Sequence, residues 1–85
     1  MPKQNQIVRS KKKKAQSLLQ ENRLPEALEL YRQICQIDRL DADAWFSLGL
    51  INAMMGSIEE TVDCCRRAVD IRPNFVEARF NLAKA

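Results

Sequence analysis

Between Asp43 and Ser57 the chain reads DAWFSLGLINAMMGS, apolar almost all the way round a helix. On helical spacing Trp45, Leu48 and Asn52 fall at i, i+3 and i+7 and form one stripe. Phe46, Leu50, Ala53 and Met54 fall at i, i+4, i+7 and i+8 and form a second stripe on another side. A helix with so little polar face is either sandwiched between neighbours or holds part of its surface open for a ligand. Alternating runs rich in Val, Thr and aromatics are absent, so the pattern predicts helix throughout. Five helices are expected, at about 7–21, 24–38, 42–55, 58–71 and 75–84.

The breaks between them carry their own chemistry. Gly56 reads as a helix stop, and Ser57 with Glu60 reads as a capping box opening the next helix. Asp41 precedes an apolar periodic run and is a candidate N-cap. Pro25 sits where a first-turn proline is tolerated, and Pro73-Asn74 interrupts the chain after Ile71. Links of a few residues make successive helices antiparallel.

The chain also repeats itself. Residues 27–51 set over residues 61–85, an offset of 34, align Arg32 with Arg66, Ile37 with Ile71, Ala44 with Ala78, Phe46 with Phe80 and Leu48 with Leu82. The same offset places Ala15 over Gly49 and Asn22 over Gly56. After glycine, asparagine is the residue that best accepts a left-handed turn, so Asn22 and Gly56 are expected to do the same job.

These residues resemble the tetratricopeptide repeat (TPR) family, whose unit is a helix–turn–helix of this length. Trp45, Leu48, Gly49, Gly56, Ala68 and Pro73 match its pattern in the second unit. Asn52 stands where tyrosine is usual, Thr61 where alanine is usual, and Cys65 where an aromatic is usual. The first unit keeps Ala15, Leu24, Ala27, Leu28 and Tyr31 but has Lys11 and Lys14 at usually apolar places and Arg39 in place of proline. The third keeps Ala78, Leu82 and Ala83 and stops after its first helix. The resemblance implies an all-α fold: helix–turn–helix repeats stacked as a short right-handed solenoid of about five antiparallel helices. It divides the chain into a flexible basic arm at 1–7 and a domain at 8–85, with repeats at about 8–41 and 42–75 and the first helix of a third at 76–85. Gly49 should let the paired helix approach, with Ala68 as its small counterpart, and Tyr31 and Cys65 should pack between units.

Composition changes this picture little; charge changes it more. The 85 residues suffice for one small domain, and no apolar run is long enough to span a membrane. The basic N-terminus lacks the apolar stretch of a secretory signal, which predicts a cytoplasmic protein. Residues 1–14 carry Lys3, Arg9 and Lys11 to Lys14 without an acid, whereas the remainder carries eight bases and eleven acids. The formal charge of +3 therefore belongs to one end, and the body is mildly acidic. Histidine is absent, and Cys35, Cys64 and Cys65 have no metal-ligand spacing, so they read as small apolar fillers in a reducing compartment. No Gly-rich phosphate loop occurs, and Asp41, Asp43, Glu59 and Glu60 read as helix-start residues. The chain is expected to be neither an enzyme nor a cofactor-binding protein.

The resemblance instead implies a protein-interaction module. First helices of successive TPR units line a concave groove. Here that groove would draw Lys12, Lys13, Gln16, Leu19 and Gln20 from the first unit. It would draw Asp43, Phe46, Ser47, Leu50 and Met54 from the second, and Glu77, Phe80, Asn81 and Lys84 from the third. An apolar floor, a basic wall and scattered amides suit a peptide or a partner's helix. The competing reading is that Phe46 and Phe80 merely pack on neighbouring helices. The two-carboxylate clamp by which some TPR domains hold chaperone tails is not expected. Of its positions only Lys12 fits, while Gln16, Ser47, Glu77 and Asn81 do not, and Glu77 has the wrong sign. Two alternatives stand beside the module. One is an adaptor segment of a longer array whose activity lies beyond Ala85. The other is weak, salt-sensitive contact of the lysine run with nucleic acid or membrane, for which no interleaved aromatics argue. Four consecutive lysines point in all directions on a helix, so the run reads first as a solvated end. The last helix, lacking its pair, is expected to be covered by further chain or by another copy.

Overall fold

The computed structural model describes residues 2–84, with side chains from Gln6 onward. Met1, Ala85 and the side chain of Lys3 lie outside the described residues. Five helices follow one another: α1 (Pro2–Gln20), α2 (Leu24–Ile37), α3 (Ala42–Met54), α4 (Ile58–Ile71) and α5 (Val76–Lys84). Each packs on its sequence neighbour, α1 on α2, α2 on α3, α3 on α4 and α4 on α5. The result is a helical solenoid. The largest departure from expectation is at the start: α1 begins at Pro2, well before residue 7. No glycine or further proline interrupts 3–20, and proline is accepted in a first turn, so the helix extends back to Pro2.

The two complete helical hairpins repeat backbone bond for backbone bond. Arg23 N–H donates to Leu18 O at 2.8 Å, and Ser57 N–H, 34 residues on, donates to Asn52 O at 2.8 Å. These bonds close helix ends through a residue in the left-handed region, Asn22 at φ 61° and Gly56 at φ 81°. The equivalence expected of Asn22 and Gly56 is thus realised. Asp41 caps α3 by accepting from Ala44 N–H at 3.0 Å.

The capping box at Ser57 does not form. Ser57 makes no side-chain cap bond. Thr61 lies one turn further on, and its hydroxyl is 2.8 Å from Ser57 O and 3.2 Å from Gly49 O. A hydroxyl on the buried side of α4 supplies a link between α3 and α4 that the usual alanine could not make.

The core explains why α3 lacks a polar face. A main cluster draws Ala15 and Leu18 from α1, Tyr31 and Ile34 from α2, Leu48 and Ile51 from α3, and Cys64 from α4. A second joins Ala42, Ala68, Phe75 and Ala78. Trp45 packs against both clusters and so ties the halves together. Gly49 sets the α3–α4 approach: a Cβ there would lie 3.2 Å from Cys64 Cβ and 3.3 Å from Cys65 Sγ. Tyr31 and Cys65 are both buried, Tyr31 beside Ser47 of the next unit as expected, and Cys65 against Gly49 of its own unit. Tyr31 faces α3 at Ser47; burial, the dominant influence, raises its phenol pKa while the Ser47 side chain offsets part of the rise.

Candidate protein-binding groove

The residues expected to line a groove divide into those the fold engages and those it leaves open. Lys12 is engaged. Its ammonium lies 2.6 Å from the Asp41 carboxylate, whose side chain is only 10% exposed. Asp41 therefore serves twice, capping α3 and anchoring α1 to its start. Lys11 is engaged as well, donating to Gln33 at 2.6 Å across to α2. Half of the lysine run thus bonds within the fold, so the run is not simply a solvated end. Lys13 and Lys14 stay exposed and, with Ser10, Gln16, Ser17 and Gln20, line a polar crevice along α1. Leu19 is half-buried against the main core.

In the second unit, Phe46 is half-buried and its ring centre lies 4.9 Å from that of Phe75, tilted by 47°. Arg72 stands 4.7 Å from the Phe75 ring centre and reaches both oxygens of Asp43, at 3.2 and 3.3 Å. Asp43 and Phe46 therefore join α3 to the turn before α5. Ser47 is half-buried beside Tyr31. Leu50 is 38% exposed and Met54 62%. In the third unit Phe80 is 63% exposed, with only Lys84 over its ring at 5.5 Å. Glu77 and Lys84 are exposed, and Asn81 is half-buried. Packing thus claims Phe46 but leaves its repeat equivalent Phe80 open.

A second concavity lies along the Trp45 stripe. Leu48 and Asn52 of the Trp45 stripe are buried, but Trp45 is half-buried and borders a cleft of about 580 Å³ between α2 and α4. Its indole N–H donates to Arg39 O at 2.9 Å, and the Arg67 guanidinium lies 4.9 Å from its ring centre. The signal in the sequence was Asn52, a short side chain where the pattern carries tyrosine. Cys35 and Cys64 border the same cleft. Burial pushes the Cys35 thiol up to about 12 and the Cys64 thiol up to about 11, each further raised by a neighbouring cysteine. Both are protonated at neutral pH and poor nucleophiles, as befits packing residues.

Residues 15–56 match the TPR repeat family. These residues are TPR repeat. The TPR hairpins are the two described above, with Asn22 and Gly56 at their turns. Among solved structures, the crystal structure of MamA is similar with a TM-score of 0.78 at 19% identity, a likeness of fold alone. The match covers 80% of this chain and 40% of that one, so the likeness spans less than half of the MamA chain. No curated protein sequence matches it. Among the described residues no helix is long and apolar enough to cross a membrane.

Proposed function

We propose that this TPR chain is a protein-interaction module that holds a peptide or a partner's helix along α3 and α5. The observation that carries the reading is the exposure of Leu50, Met54 and Phe80, large apolar side chains on the first helices of successive units. Solvent-facing apolar groups on a packed scaffold supply binding energy without unfolding anything. Met54 adds a side chain that adapts its shape. Lys13 and Lys14 at one end and Glu77 at the other favour a segment whose acidic part lies toward α1. The engagement of Lys12 by Asp41 supports the argument against a carboxylate-tail clamp, since the one matching lysine already has a partner.

Peptides selected from a random display library on the purified chain, then measured by calorimetry, test this reading. Phe80→Ala and Met54→Ala should each weaken the selected peptides by about tenfold, a typical loss for an apolar anchor. Arg66→Ala, on the exposed side of α4, should leave affinity unchanged. Equal effects from all three substitutions would remove the groove.

A further inference from the structure

We propose a second binding site on the opposite side of α3: the cleft between α2 and α4, which takes an amphipathic helical segment with acidic residues on one flank and basic residues on the other. It rests on different residues from the groove and does not depend on it.

Three helical stripes build the cleft. Trp45, Leu48 and Asn52 of α3 form its floor. On the α2 side stand Arg32 and Arg39; on the α4 side stand Glu60, Asp63 and Asp70. These five charged groups form no ion pair among the described residues, although the walls are of opposite sign. Opposite charges thus face one another across the cleft without pairing. Asn52, buried and bonded to Leu48 O at 3.0 Å, leaves unfilled the space a tyrosine would occupy.

The shape selects the occupant. From Glu60 to Asp70 the α4 wall runs about 15 Å, three turns of helix. A small molecule cannot meet charges spread over that length on both sides. A helix laid along the cleft can, with its apolar ridge on the exposed part of Trp45 and its charged flanks against α2 and α4. Charge complementarity then assigns the flanks: Asp or Glu toward Arg32 and Arg39, Lys or Arg toward Glu60, Asp63 and Asp70. Arg67 also stands on the α4 wall, its guanidinium held over the Trp45 ring, so with three acids and one base that wall stays net acidic.

The probe is a synthetic three-turn helical peptide with a leucine ridge, glutamates on one flank and lysines on the other. A helix can enter in either direction, so exchanging the flanks is no control. Peptides with lysine on both flanks, or glutamate on both, are the controls. Trp45 is the only tryptophan, so its emission reports occupation of the floor, and calorimetry gives the affinity. The mixed peptide should shift the emission saturably and bind about tenfold more tightly than either control. Arg39→Glu and Asp63→Lys, both exposed and outside the core, should each weaken it about fivefold. Asn52→Tyr should abolish binding by filling the cleft; if that variant does not fold, the two surface variants still decide. Phe80→Ala should change nothing. An unchanged emission, equal affinity for all three peptides, or a loss in Phe80→Ala as large as in Asp63→Lys would overturn the proposal.

Discussion

Lys12 and Asp41 hold α1 to the start of α3 through an ion pair at 2.6 Å. The residues 34 positions on, Phe46 and Phe75, hold α3 to the start of α5 through an aromatic pair at 4.9 Å. One backbone geometry is thus secured by two unrelated chemistries. The next residue in the series, Phe80, is the exposed one.

The first joint should be sensitive to which function of Asp41 is removed. Asp41→Asn keeps an oxygen for Ala44 N–H but loses the charge, whereas Asp41→Ala loses both. Urea unfolding should show Asp41→Ala destabilising by about 1–2 kcal/mol, with Asp41→Asn clearly milder. Equal losses would mean that the cap contributes nothing.

The lysine run should respond position by position. Lys12→Glu sets two carboxylates together at a partly buried site and should destabilise by more than about 1 kcal/mol. Lys13→Glu and Lys14→Glu, both exposed, should stay within about 0.5 kcal/mol of the parent. Thermal melts at low salt distinguish the two groups.

The two glycines should fail for different reasons when changed to alanine. At Gly49 the new methyl meets Cys64 Cβ and Cys65 Sγ at 3.2 and 3.3 Å, an overpacking cost of about 1–3 kcal/mol. At Gly56 there is open space, but φ is +81°, so the cost is backbone strain of about 1–2 kcal/mol. The partner experiment is Asn22→Gly, which should be neutral or slightly stabilising because φ is already positive there. Chemical denaturation of the three variants is the check.

The buried thiols should make stability fall in alkali. Their folded pKa values, about 12 for Cys35 and about 11 for Cys64, lie above those of exposed thiols. The unfolded chain therefore loses protons first, and the contribution, full below about pH 8.5, is lost as pH rises toward the folded values. Urea midpoints between pH 8 and 10.5 should decline, and Cys35→Ala should flatten the decline. Alkylation at pH 8 should be far slower in the native chain than in urea. Rapid native alkylation would show the thiols to be accessible.

The helices, their turns and the repeat were legible in the sequence because they rest on local chemistry. Asn22 and Gly56 could be matched by spacing alone, since a left-handed residue is needed wherever this hairpin closes. Gly49 could be read as a point of close approach because a glycine inside a helix leaves no side chain to hold its partner off. Asp41 could be read as a cap because its partner, Ala44 N–H, is three residues away. What sequence spacing could not reveal were contacts between residues far apart along the chain. Lys12 and Asp41 meet across 29 positions, and nothing near Lys12 announces that it has a partner while Lys13 does not. Ser57 looked as good a cap as Asp41, yet its side chain makes no cap bond, and the side-chain bond at this helix start runs from the Thr61 hydroxyl to the Ser57 carbonyl. The two phenylalanines sharing a repeat position could not be separated either: Phe46 is half-covered by Phe75, whereas Phe80 stays open. Periodicity decides which side of a helix a residue occupies; only the packed neighbours decide whether that side is buried, paired with charge or left facing water.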